Sequence, residues 1–115
     1  MTSPEPQGAF TRERITSTPQ TTAQGATILK VAASSRPSTV AGAIAGVLRG
    51  GVNASVQAVG AGAVNQAVKA IAIANAYLRD DGISLSCTPS FADVAIDNQE
   101  RTAICLLVEP RPRSE

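Results

Sequence analysis

The chain has 115 residues, a net charge of +1 and no histidine, and 43% of its residues are hydrophobic although only 3% are aromatic. That length has room for one domain, the near-neutral balance excludes a global field for a polyanion, and the missing imidazole removes the commonest general base and most zinc sites. Alanine, valine and isoleucine supply most of the apolar content, while Phe10, Tyr77 and Phe91 are the only aromatics. Small side chains fill space only where backbones approach closely, so closely packed helices against a sheet are expected.

Residues 1–26 are rich in Thr, Ser, Pro and Gln, with Phe10 and Ile15 as their large apolar residues. They read as a disordered tail, because so few apolar groups cannot offset the entropy of ordering. Their start lacks a basic segment followed by an apolar core, so no secretory signal is expected. No segment approaches the ~20 apolar residues of a membrane span, and a cytoplasmic protein without a membrane partner is expected.

The folded domain is expected over residues 27–110, with residues 111–115 as a second tail. Residues 27–32 (Thr-Ile-Leu-Lys-Val-Ala) are short, β-branched and apolar, as a buried strand should be. Ser34, Ser35 and Arg36 precede Pro37, a proline suited to the first turn of a helix. Val40, Ile44, Val47 and Leu48 then recur at helical spacing until Gly50 and Gly51 stop the helix. On it, Gly42 and Gly46 form a GxxxG spacing, which in a soluble domain marks close packing on a neighbouring helix more often than dimerisation.

Residues 54–59 alternate as a second strand, and Gly60-Ala61-Gly62 turns into a longer helix reaching about Leu78. Val64, Ala67, Ile71 and Leu78 share one face of it, with Asn65, Gln66 and Lys69 opposite. Ile73, Ala76 and Tyr77 continue that polar side as an apolar patch, which reads as a subunit contact or a seat for a packed tail. Residues 83–88 form a third strand, Pro89 interrupts it, and residues 91–96 resume it. Residues 97–100 make a polar hairpin loop before a last strand over residues 102–109. The expected fold is therefore α/β, a two-layer sandwich of order β-α-β-α-β-β, with a mixed four-stranded sheet and two helices on one face.

Catalytic chemistry is not evident. Cys87 and Cys105 lack metal-ligand spacing and read as small core residues on strands. Asp80, Asp81, Asp93 and Asp97 sit where turns are expected, and Asp is favoured there for its own hydrogen bonding. No catalytic residue, metal or cofactor is assigned. The two helix starts carry the one functional reading: each follows a strand and aims backbone N–H groups and a partial positive charge outward. Arg36 adds a cation at the first, and Gly60 and Gly62 permit close approach at the second. Ordinary capping and tight turns are the plainer reading of the same residues. Gly60 and Gly62 do not make a dinucleotide fingerprint, which needs a third glycine and an acidic ribose ligand.

Several runs resemble the stage V sporulation protein S family: Ile-Leu-Lys-Val at residues 28–31, Ser-Thr-Val-Ala-Gly-Ala-Ile-Ala-Gly-Val-Leu-Arg at 38–49, Gln-Ala-Val-Gly-Ala-Gly-Ala-Val-Asn-Gln-Ala-Val-Lys-Ala at 57–70, and Glu-Arg-Thr-Ala-Ile-Cys-Leu-Leu-Val-Glu-Pro-Arg at 100–111. The resemblance implies a small, bacterial, cytoplasmic, non-enzymatic protein of spore development and cell division, with an Alba-like fold. Alba proteins are archaeal nucleic-acid-binding dimers, so it also implies a homodimer and a nucleic-acid partner, DNA or RNA. Alba's binding loop after the first strand carries lysines before a proline, and Arg36-Pro37 stands in the matching place. The basic start of Alba's second helix is replaced by Gly60, Gly62 and Gln66. The expected contacts are therefore Ser35, Arg36, Gly60, Gly62, Asn65, Gln66 and Lys69, with Ile73, Ala76 and Tyr77 between subunits. A protein-interaction module without nucleic acid, or a small anion or nucleotide sensor, are the other readings.

Overall fold

The computed structural model of the chain describes residues 20–111; residues 1–19, the greater part of the expected tail, and residues 112–115 lie outside the described residues. A short strand β1 (Gln20–Thr21) leads through a tight turn into β2 (Thr27–Val31). Helix α1 (Pro37–Arg49), strand β3 (Ala54–Ala58) and helix α2 (Ala61–Arg79) follow, and a long ribbon of β4 (Leu85–Ile96) and β5 (Gln99–Pro110) completes the described chain. The strands form one mixed sheet in the order β1-β2-β3-β5-β4, with β2 and β3 parallel and every other neighbouring pair antiparallel.

The α/β class and the expected succession of strands and helices are present, but the four-stranded sheet is corrected to five strands. Gln20 and Thr21, assigned to the tail from composition, pair with Ile28 and Thr27. The turn between them is closed locally: Thr22 N donates to Ala26 O at 2.8 Å, and Ala26 N donates to Thr22 Oγ1 at 3.0 Å. Gly25 supplies the left-handed backbone at φ +87°. Backbone pairing on an open sheet edge orders these residues without any core side chain, so a composition argument does not register it.

The ribbon is also longer and more regular than expected. Pro89 does not break β4; it stands opposite Leu106 within the ladder. β4 lies at the sheet edge, where a residue without an N–H can sit with that side facing away from its neighbour. The expected four-residue loop contracts to Asp97 and Asn98, at φ 51° and 63°, the left-handed pair of a two-residue hairpin. Asp93 lies within β4 opposite Thr102, not in a turn.

Both helices pack on each other and on β2 and β3, forming one layer against one face of the sheet. The core beneath them joins Ala41, Ile44, Ala45 and Leu48 of α1 to Ala63, Ala67, Ala70, Ile71, Ala74 and Leu78 of α2, over Val56 and Val108 of the sheet. Alanines dominate this contact, as close helix packing requires. Arg49 Nε donates to Asp81 Oδ2 at 2.9 Å and ties the ends of the two helices, although both side chains are about half exposed and the pair adds little stability.

Two side-chain expectations are corrected. Gly42 and Gly46 do not face a neighbouring helix; both are exposed, and a Cβ added at either meets nothing within 4 Å. Ala41 and Ala45, one position earlier, make the contact instead. Gly42→Ala and Gly46→Ala should therefore each stabilise the domain by about 0.5–1 kcal/mol, through lower backbone entropy in the unfolded chain. Urea midpoints above the parent value are expected, and a lower midpoint would show that this helix face is covered.

The cysteines are not core residues either. Cys87 is exposed on the edge strand, and Cys105 is half-buried on the sheet face away from the helices, with Sγ 3.0 Å from Ser55 Oγ. Partial burial, and then the nearby Cys105, push the Cys87 thiol above its ordinary pKa. No helix among the described residues is long and apolar enough to cross a membrane.

Candidate nucleic-acid interface

Parallel pairing of β2 with β3 places the carboxyl ends of both strands side by side, so both helix starts open at one end of the sheet. After β2 the chain closes a small turn: Ser35 N donates to Ala32 O at 3.0 Å, and Ala32 N donates to Ser35 Oγ at 2.9 Å. Ser35 is thus engaged with its own loop and does not cap the helix. The capping position belongs to Arg36, which is extended (φ −88°, ψ 120°), with Pro37 as the first helical residue. No side chain caps α1, no acidic residue lies in its first turn, and the Arg36 side chain is exposed.

Gly60 opens α2 at φ +92° and ψ 156°, a backbone region essentially confined to glycine. This start, too, has no side-chain cap and no acidic residue in its first turn. Gly62 has a separate role. A Cβ at that position would stand 3.1 Å from the Ala33 Cβ, so glycine lets the start of α2 lie against the loop that precedes α1. Gln66 completes the junction, with Nε2 donating to Ser35 O at 3.0 Å.

The structure therefore brings Ser35, Gly62 and Gln66 into one junction, with Arg36 and Gly60 flanking it. This corrects the pairing of Gln66 with Asn65 and Lys69 as exposed polar groups: Gln66 is half-buried and its amide holds the other loop. Asn65 and Lys69 remain exposed, and at 100° per residue they continue the strip that begins at Gly62. The arrangement offers two helix N-termini with outward partial positive charge, one guanidinium and one ammonium, on a rigid base. Such a surface suits phosphate oxygens or another anion. No group of three His, Cys, Asp or Glu side chains that could hold a metal ion occurs among the described residues.

The expected subunit patch is divided. Ile73 packs half-buried against the core, whereas Ala76 and Tyr77 are exposed, Tyr77 at 43%. Sequence reasoning also missed the link between the loops. The signal available was Gly62 itself, a glycine inside a helical pattern, which often marks a close backbone approach. A model of the stage V sporulation protein S family matches residues 27–111, a span holding both helix starts and the whole ribbon.

Proposed function

The chain belongs to the stage V sporulation protein S family, whose role is sporulation-related, and from that premise we propose that it is a non-enzymatic regulator that binds nucleic acid through the joined helix starts. The observation that supports this reading is the junction itself. Two uncapped helix N-termini, free of acidic residues in their first turns, are held together by Gln66 and by the Gly62–Ala33 approach. Dedicated contacts between two loops maintain one surface on which Arg36, Asn65 and Lys69 can meet consecutive phosphates. The same reading takes the fold as Alba-like, the protein as cytoplasmic and self-associating, and its role as extending to cell division.

Binding on this surface would be modest and electrostatic, since Arg36 and Lys69 are its cations. With each neutralised phosphate contributing about −0.9 to the slope of log K against log salt, a slope of about −2 per protomer is expected on duplex DNA. Titrating a generic duplex and a single-stranded RNA from 50 to 200 mM salt, concentrations over which such contacts weaken measurably, separates the readings. A slope near that value supports the proposal and the better substrate identifies the nucleic acid. No binding to either at low salt moves the function to a protein-interaction module.

A further inference from the structure

The two ends of the described chain leave the sheet in opposite directions, and one of them leaves at the helix starts. β1 runs antiparallel to β2, with Gln20 opposite Ile28 and Thr21 opposite Thr27. The chain before Gln20 therefore comes from the carboxyl end of β2, where both helix starts open and where β2 leads toward Arg36. β5 runs antiparallel to β3, with Val108 opposite Ala54, so its carboxyl end, followed by Arg111 and Arg113, lies at the other end of the sheet. Arg12 and Arg14 stand eight and six residues before Gln20. At about 3.3 Å per extended residue, Arg14 can lie up to about 20 Å from Gln20, twice the about 10 Å between Ile28 and Val31. Both arginines thus have the reach to pass the end of β2 and the turn at residues 32–35. Residues two apart share one side of an extended chain, which lets Arg12 and Arg14 act together with Glu13 turned away. The family match begins at residue 27, so this pair belongs to a segment outside it.

We propose that residues 12–14 are a basic arm that extends the nucleic-acid surface of the helix starts, with Arg12 and Arg14 meeting two further phosphates beside those at Arg36. This rests on the nucleic-acid reading above and adds a second element to that site. Arg36 and Lys69 are the cations of the joined helix starts, so the arm doubles their number. It needs no fold of its own, because a polar segment orders on its partner, and residues 11–19 hold Ile15 as their one large apolar side chain. The tether makes its contacts intramolecular. An effective concentration of about 1 mM, set against a dissociation constant of about 0.1 mM for weak nonspecific contacts, gives a gain of about 10-fold. The competing seat for two arginines within the chain is the ribbon tip, with Asp93, Asp97 and Glu100. The tip projects from the same end of the sheet, but β5 stands three strand spacings, about 14 Å, from β1, whereas β2 is its direct neighbour.

Salt titrations of the full chain test this, with whichever of the generic duplex and the single-stranded RNA the wild type binds more tightly. The slope of about −2 belongs to the helix starts alone, so the full chain should show about −3 to −4. Arg12→Gln with Arg14→Gln should return the slope to about −2 and weaken binding by about 10-fold at about 50 mM salt. Arg111→Gln with Arg113→Gln removes the same charge at the far end of the sheet and should change affinity by less than about 3-fold, since salt screens charges so far away. The arm's effect should persist when Asp97→Asn and Glu100→Gln are added, a double-mutant cycle that removes charge from the ribbon tip. An arm effect that vanishes in that background would assign the arginines to the tip and overturn the proposal. Equal losses in the two arginine pairs would reduce the effect to net charge and overturn it as well. A wild type that binds with a slope of about −2, unchanged by the arm substitutions, would remove the arm and leave the helix starts standing. No binding by the wild type at low salt would remove the site and the arm with it.

Discussion

Replacing Ile44 with alanine is expected to cost about 2–5 kcal/mol of folding stability, through lost transfer energy and the cavity left behind. Ile44 is fully buried and is one of the four largest side chains with no exposure, with Leu78, Val56 and Val108. The surrounding layer is built from alanines such as Ala41, Ala45, Ala67 and Ala74, short side chains that cannot swing into a void. The site should therefore collapse poorly, and the loss should fall in the upper part of that range. A domain of this size has about 5–15 kcal/mol in total, so the variant should unfold at a far lower urea concentration. Ile73→Ala, at a half-buried position, should lose less. A loss below about 1 kcal/mol at Ile44, the scale of a partly exposed position, would contradict the packing of α1 described here.

The second large effect concerns the binding surface. Arg36→Glu places a negative charge at the start of α1, where a phosphate would approach, and should weaken nucleic-acid binding by about 1–3 kcal/mol through lost charge-assisted hydrogen bonds. It should also flatten the salt slope by about one unit. The control must change net charge equally without disturbing the fold. Arg49 is unsuitable because its guanidinium bonds Asp81. Arg79 is exposed at the far end of α2, about 28 Å from the helix start and well beyond the ~8–10 Å over which salt screens such charges. Arg79→Glu should leave both affinity and slope close to the parent values. Equal losses in the two variants, or none in either, would remove the helix starts as the site.

Much of the fold was legible in local patterns. The changes of hydrophobic period along the chain predict β2, α1, β3 and α2 to within a few residues, because burial of one face imposes that period whatever the partner. The Arg36-Pro37 start and the glycine stop of α1 were readable for a similar reason, since helix ends have local steric demands. The ribbon was less readable. Whether Pro89 ends a strand depends on whether its missing N–H would face a neighbour, and that follows from the position of β4 at the sheet edge. Gly42, Gly46, Cys87 and Cys105 were misread on the same account: residue type suggests burial, but which face is covered depends on where the other elements lie.

The sequence by itself determined the order of the elements, the small-residue helix layer and the family, together with the residues at the two helix starts. These follow from short-range stereochemistry, from hydrophobic period and from specific residue runs. Only the tertiary structure decided that Gln66 spans to Ser35 and that Gly62 is a point of contact with Ala33. Each of these joins residues about 20–30 positions apart, and such contacts arise from strand pairing and helix packing, which no local window of the chain encodes.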